Sequence, residues 1–118
     1  MQGYKKISKE EGARVELHDK LGLTGAEISI NTLPAGTSVP FIHAHKENEE
    51  IYFILSGKGK AVIDGDNVDL SEGDWIRISP SSHRQFFSSL DSPISYVCIQ
   101  VRENSLQSYT ADDAVILE

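Results

Sequence analysis

The sequence predicts an all-β sandwich or barrel. Short segments of alternating or continuous apolar residues recur along the chain, and turns rich in Gly, Pro, Asp and Ser separate them. Many short strands at this spacing are typical of closed or double-layered β folds. No sustained helical period occurs before the C-terminal tail, where residues 103–108 fit at most one helical turn.

Eight segments have the composition and periodicity of strands. The predicted strands, in chain order, are Arg14–His18, Ala26–Ile30, Ile51–Leu55, Lys60–Ile63, Val68–Leu70, Trp75–Ile78, Gln85–Phe87 and Ile94–Val101. The Asp64-Gly65 pair is the strongest hairpin signal, because Asp and Gly accept the left-handed backbone of a tight turn. The stretch Ser56-Gly57-Lys58-Gly59 is predicted to end the third strand.

Length and charge limit the class of protein. The 118 residues predict one domain, 1–118, with a single core. The net charge of −7 leaves no basic face for phosphates, so we expect no nucleic-acid partner. No apolar run approaches a membrane span and no leader opens the chain, so we expect no membrane partner. One cysteine, Cys98, provides no intrachain disulfide framework, and we expect a cytoplasmic protein.

The stretch from His43 to Glu50 has the composition of a metal site. His43 and His45 are two residues apart, so their imidazoles point to the same side of an extended strand. The carboxylate of Glu50, a short turn later, can reach that same side. Two nitrogens and one oxygen form a facial set of ligands that suits a divalent ion such as Fe, Mn, Zn or Ni.

Two longer stretches around these residues resemble the two motifs of the cupin family. Gly36–Gly57 resembles the first motif, G-x5-H-x-H-x3/4-E-x6-G, and Gly73–Ser88 resembles the second, G-x5-P-x-G-x2-H-x3-N. The resemblance implies a double-stranded β-helix (jelly roll), the cupin barrel, with its core roughly at residues 24–102. It also implies a metal or ligand inside the barrel, held by His43, His45 and Glu50.

The first motif selects Glu50 over its neighbour Glu49. Six residues lie between Glu50 and Gly57, as the motif requires, and strand parity places Glu50, Tyr52 and Ile54 on one face. The motif departs from the family pattern at one point, because six residues rather than five separate Gly36 from His43. A bulge at Phe41-Ile42 would absorb the additional residue.

The second motif leaves two alternatives for the fourth position of the site. Because the turn after Trp75–Ile78 is one residue short, strict counting puts Arg84 at the histidine position, with His83 beside it. If the register shifts, His83 points inward and completes a site of three histidines and one glutamate. If the register is kept, Arg84 points inward; a guanidinium cannot ligate a metal but can bind a carboxylate or phosphate.

These observations indicate a divalent-metal-dependent enzyme, dioxygenase-like or isomerase-like, that acts on a small polar molecule. Its predicted metal ligands are His43, His45, Glu50 and His83, and Tyr52 and Arg84 are the candidates for an acid/base role. The alternative is a binding or sensing module that holds a sugar-like or carboxylate ligand without turnover, which an inward Arg84 would favour. In a third alternative the pocket is vestigial and filled by Phe86 or Phe87.

The tail at 103–118 ends in three consecutive apolar residues, Val115 to Leu117. Such a run is usually buried against something. We expect it to pair as an edge strand, either with the first strand of the same domain or with an equivalent strand of a second copy. We therefore expect a homodimer.

Overall fold

A computed structural model describes residues 3–109 and 111–117. Within them the chain forms seven strands and one short helix, and every strand pairing is antiparallel. This confirms the predicted all-β jelly roll. The elements are β1 (Arg14–Glu16), α1 (His18–Leu21), β2 (Glu27–Leu33), β3 (Asn48–Ile63), β4 (Asp66–Ser71), β5 (Trp75–Ile78), β6 (Arg84–Ser88) and β7 (Ile94–Arg102).

Strand β3 holds the two walls of the barrel together. It is 16 residues long; its first part pairs with β7 on one edge and β5 on the other, and its second part pairs with β4 and β6. The wall formed by the first part continues from β7 to β2 and β1. The prediction that Ser56–Gly59 ends a strand is therefore wrong, since the two predicted segments are one strand.

Two glycines allow β3 to pass between its neighbours. Gly57 has a φ of +82°, and a Cβ at this position would lie 1.8 Å from the carbonyl oxygen of Pro93. A Cβ on Gly59 would lie 2.1 Å from the carbonyl oxygen of Phe87. The register against β7 also shifts between Ile54 and Ser56. The glycines therefore bend the strand and admit neighbouring backbone, which a sequence pattern cannot distinguish from a turn.

Side chains along the first part of β3 alternate between the inner and the outer face as the sequence predicts. Glu50, Tyr52 and Ile54 are buried, whereas Leu55 is exposed on the outer face. The core is a cluster of buried residues from β3 to β7: Tyr52, Ile54, Ala61, Leu70, Ile78, Phe86, Ile94, Tyr96 and Cys98. The polar Glu50 is thus set directly beside an apolar core.

The first predicted strand is too long at its C-terminal end. The β1–β2 pairing ends at Glu16, and His18 begins the single helical turn of α1, which Gly22 ends in a left-handed conformation. The backbone N–H of His18 donates to the Glu27 carboxylate (3.0 Å), and this bond holds the turn against β2. In the described part of the chain no helix is long and apolar enough to cross a membrane.

The segment between β2 and β3 is a loop rather than a bulged strand. It touches β6 through isolated bridges at Ser38 and His43, and Phe41 and Ile42 between them are 57% and 65% exposed. The additional residue of the first motif is accommodated in this loop. A loop tolerates an inserted residue without shifting the register of a sheet.

The tail forms no strand in its described residues, 103–109 and 111–117. The side chains of Val115, Ile116 and Leu117 are 78%, 90% and 84% exposed. Pairing with the first strand of the same chain is therefore not observed in these residues. Pairing with a second copy stays a prediction.

We expect Gly57→Ala to destabilise the fold by about 3 kcal/mol or more, because it combines a strained positive φ with a backbone clash. The measurement is the free energy of unfolding from urea denaturation. Gly25→Ala is the matched control, since a Cβ there meets nothing within 4 Å. Equal stability of the two variants would contradict the role given to Gly57.

Candidate metal centre

Backbone hydrogen bonds position the two histidines of the site. The N–H of His43 donates to the carbonyl of Arg84 (3.1 Å), and the N–H of Arg84 donates back to the carbonyl of His43 (3.0 Å). The N–H of His45 donates to the carbonyl of Pro80 (2.8 Å). The loop before β3 is thereby attached to β6 and to the turn preceding it, and the two imidazole centroids lie 5.2 Å apart.

Glu50, at the start of β3, completes a group of three potential ligands. One ligand atom from each of His43, His45 and Glu50 lies within 4.8 Å of the other two. The Nε2 atom of His45 is 3.0 Å from Oε2 of Glu50, and the Nε2 atom of His43 is 3.9 Å from Oε1. The structure therefore brings together the three residues that the sequence singled out.

The Glu50 carboxylate has four polar partners within the protein. Oε1 accepts hydrogen bonds from the Tyr52 hydroxyl (2.5 Å) and from Nη1 of Arg84 (3.1 Å). Oε2 lies 3.0 Å from the His45 ring and accepts from the thiol of Cys98 at 3.4 Å. Burial raises the pKa of Tyr52 and raises that of Cys98 to about 12, so both groups stay protonated and donate.

Arg84, and not His83, takes the inward-facing fourth position that the second motif left open between these two residues. Its side chain is fully buried, with Nη1 on Glu50 and Nη2 on the carbonyl oxygen of Ser79 (2.5 Å). Among the described residues, its Nε has no hydrogen-bond partner. Because the guanidinium lies behind Glu50 and does not line the cavity, it is not free to clamp a substrate anion.

His83 is not part of the group, which corrects the predicted fourth ligand. Its side chain is exposed, and the group of potential ligands among the described residues contains only the other three. Its N–H donates to the Asp64 carboxylate (2.8 Å), a bond that lowers the pKa of Asp64. The physical reason is parity, because Arg84 faces inward at the start of β6 and its neighbour must face outward.

The three potential ligands open onto a cavity of about 480 Å³. Aromatic, amide and hydroxyl side chains share its wall with one guanidinium, that of Arg14. The lining residues are Ala13, Arg14, Asn31, Thr32, Leu33, Val39, Pro40, Phe41, His43, His45, Glu50, Tyr52, Tyr96, Cys98 and Gln100. Neither Phe86 nor Phe87 fills this space, so the alternative of a filled pocket is wrong.

Sequence reasoning missed Tyr96 as a cavity residue and gave Cys98 a mainly structural role. Both lie on the inner face of β7, where Tyr96 pairs with Ile54 and Cys98 pairs with Tyr52. Their alternation along the strand was visible in the sequence. The pairing of β7 with β3, which decides the face, was not.

The residues present fit a divalent metal held by three ligands. Two imidazoles and one carboxylate are a donor set that such ions accept. Nδ1 of His43 is buried and has no partner in the part of the chain that the structure describes. Burial lowers the pKa of this histidine, which keeps the imidazole neutral and able to ligate. Tyr52 and Arg84 bind Oε1 of Glu50, whereas Oε2 lies 3.0 Å from Nε2 of His45, so Oε2 is the oxygen on the side of this potential ligand.

Comparisons with known proteins agree with this arrangement. A family model described as a cupin domain matches residues 29–100. A protein of Methanocaldococcus jannaschii without an assigned function is 30% identical over 86 residues, 73% of this chain and 64% of that protein. The chain thus spans less than two thirds of that relative's length.

Solved structures show the same fold. A cupin protein of Bacteroides fragilis is 57% identical, with a TM-score of 0.97 and full coverage of both chains. A sugar phosphate isomerase of the cupin superfamily from Silicibacter pomeroyi is 22% identical, covers 76% of this chain and 60% of its own, and has a TM-score of 0.68. At that identity the likeness shows the fold alone. The matched motifs, the barrel and the family model together show that this chain belongs to the cupin family.

Proposed function

We propose that this cupin is a divalent-metal-dependent enzyme that acts on a small polar molecule. The observation that carries the proposal is the convergence of His43, His45 and Glu50, with ligand atoms within 4.8 Å of one another, on the wall of a cavity of about 480 Å³. A bound Fe, Mn, Zn or Ni ion would supply Lewis-acid polarisation of a substrate oxygen. Only three protein ligands would hold it, which leaves coordination positions for substrate.

The residues around the ligands hold the carboxylate in one orientation. Tyr52 and Arg84, the two candidates for acid/base chemistry, both bind Oε1 of Glu50. We therefore assign them a positioning role. Cys98 donates to Oε2 from the neighbouring strand and restricts rotation of the same group. A carboxylate fixed in this way loses little conformational freedom when it binds a cation.

The lining of the cavity favours a sugar-like substrate and an isomerase-like reaction. Asn31, Thr32 and Gln100 offer amide and hydroxyl groups, and Phe41 adds an aromatic ring. Arg14, bound to Oδ1 of Asn31 at 2.7 Å, would face an anionic substituent. The Silicibacter pomeroyi cupin of the same fold is named as a sugar phosphate isomerase, and at 22% identity it suggests this reaction class as the first to test. A dioxygenase-like reaction is the second.

A non-catalytic binding or sensing role is the alternative, and one observation favours it. The Glu50 carboxylate already has four partners in the protein, including the buried cation Arg84. The polar groups of the site are therefore largely satisfied without a metal. A protein of this kind would bind a sugar-like or carboxylate ligand in the same cavity and release it unchanged.

The location and assembly of the protein belong to the same proposal. Cys98 is free and buried, and it is the one cysteine of the chain, as expected in a reducing compartment. We therefore propose a cytoplasmic protein. We also propose a homodimer, because the tail carries exposed apolar residues.

We expect protein purified without an affinity tag or chelator to take up about one divalent ion per chain, and His45→Ala to lose it, because two ligands do not hold the ion. The measurement is elemental analysis, followed by calorimetric titration of the metal-free protein with Fe(II), Mn(II), Zn(II) and Ni(II). His83→Ala is the matched control, since this histidine lies outside the site, and it should bind metal as the wild type does. Absence of uptake of all four ions by the wild type would contradict the enzyme and leave the binding role.

We expect Glu50 and Arg84 to be strongly coupled in stability. Glu50→Gln and Arg84→Met should each cost about 3–5 kcal/mol, because each leaves a buried charge without its partner. The double variant should be more stable than the sum of the two effects predicts, by at least about 2 kcal/mol. Urea denaturation of all four proteins measures this coupling, and simple additivity of the two effects would show that the pair does not act as a unit.

The Arg84→Met variant also tests whether a metal ion binds next to Glu50. In this variant an added divalent ion can take over the neutralisation of Glu50, so we expect it to raise the melting temperature more than it does in the wild type. The thermal shift with and without the ion is the measurement. An equal shift in both proteins would indicate that the ion does not bind next to Glu50.

A further inference from the structure

A second concave surface lies on the outside of the barrel, away from the candidate metal centre. The N-terminal segment Lys5–Glu10 and the outer side of the β1–β2 wall enclose a groove of about 610 Å³, here called the N-terminal groove. Its floor is aliphatic, formed by Ile7, Val15, Leu17, Leu21, Ile30 and Leu55. Ile30 and Leu55 are 36% and 42% exposed, so the floor is open to solvent.

The rim of the N-terminal groove is positive although the chain as a whole is acidic. Lys5, Lys6 and Lys9 line it, and in the described part of the chain none of them takes part in an ion pair. The one acid of the lining, Glu10, is paired with Lys20 at 2.6 Å. Within residues 3–109 and 111–117, the groove therefore presents three cations without an ion-pair partner around an apolar floor, on a chain with a net charge of −7.

The opposite pattern occurs at the other end of the chain. Residues 111–117, here called the C-terminal arm, contain Asp112 and Asp113 followed by Val115, Ile116 and Leu117. The three apolar side chains are 78–90% exposed. The radius of gyration is 16.0 Å, against about 13.5 Å for a compact chain of this length, and the longest axis is 51 Å. The arm is thus an apolar segment with acidic residues beside it that the described body of its own chain leaves uncovered.

We propose that the C-terminal arm of one copy docks in the N-terminal groove of a second copy, and that the two copies exchange arms around a two-fold axis. Val115, Ile116 and Leu117 would cover the aliphatic floor, while Asp112 and Asp113 would meet the lysine rim. A symmetric pair is favoured because the groove and the arm belong to the same chain, so one exchange covers both surfaces on both copies. This inference rests on the homodimer proposed above, for which it specifies the interface, and it does not depend on the proposed metal-dependent activity.

The first experiment tests the apolar half of the contact by sedimentation velocity over a range of concentrations. Wild type is expected to dimerise, and the variant with Ile116→Asp and Leu117→Asp is expected to dimerise at least about 100-fold more weakly, because two charges enter an apolar groove. Leu106→Asp is the matched control. Leu106 is 73% exposed in the same tail but lies outside the arm, and its substitution should leave the dimer unchanged.

The second experiment tests which surface the arm occupies and whether it comes from another copy. One variant carries Lys5→Glu, Lys6→Glu and Lys9→Glu, and the other carries Asp112→Lys and Asp113→Lys. Each alone places like charges against each other and is expected to dimerise at least about tenfold more weakly than wild type. A mixture of the two restores opposite charges at both contacts, since the Glu groove then meets the Lys arm and the unchanged Lys groove meets the unchanged Asp arm. Heterodimers are therefore expected to form more tightly than either variant with itself.

The remaining outcomes would overturn the proposal. A wild type that stays monomeric at all concentrations, with its arm protected from proteolysis, would place the arm in the groove of its own chain. A dimer that the arm variant leaves unaffected would show that the interface lies elsewhere. An absence of heterodimer in the mixture would show that the arm does not bind in the groove. Metal uptake is expected to be the same in all these variants, because the groove lies outside the barrel.

Discussion

The buried ion pair between Glu50 and Arg84 is the interaction on which the candidate site depends. Both side chains are almost completely shielded from water, and a single buried charge without a partner would destabilise the protein by several kcal/mol. The pair joins β3 to β6 across the barrel. The backbone of Arg84 also exchanges two hydrogen bonds with His43, so one residue orients the carboxylate with its side chain and anchors an imidazole with its main chain.

This arrangement determines what kind of cation site the barrel can offer. Where the cupin motif has a histidine, this chain places a guanidinium, which adds a positive charge and removes a possible ligand. One carboxylate oxygen, Oε1, is held by Arg84 and Tyr52 and lies 3.9 Å from Nε2 of His43, and the other, Oε2, lies 3.0 Å from Nε2 of His45. The site is therefore limited to three protein ligands, and any bound metal would share the carboxylate with a permanent cation.

The position of Glu50 depends in turn on the continuity of β3. This strand belongs to both walls of the barrel and carries Glu50, Tyr52 and Ile54 on its inner face. It passes between neighbouring strands only because Gly57 and Gly59 have no side chains where the carbonyl groups of Pro93 and Phe87 approach. A motif glycine seven positions after the ligand is thus explained by close backbone contact.

The sequence by itself determined the features that depend on local periodicity and composition. Alternation along strands predicted the all-β fold and agreed with the motif spacing that selected Glu50 over Glu49, because strand side chains alternate regardless of context. His43 and His45 were expected on an extended strand, but they reach the site from a loop. Tertiary structure decided the rest. A one-residue choice of register put Arg84 inside and His83 outside, and close packing made Ser56–Gly59 part of a strand although its composition is that of a turn. The pairing of β7 with β3 brought Tyr96 and Cys98 to the cavity. These outcomes depend on which segments become neighbours in space, and the local pattern of residues along the chain does not show that.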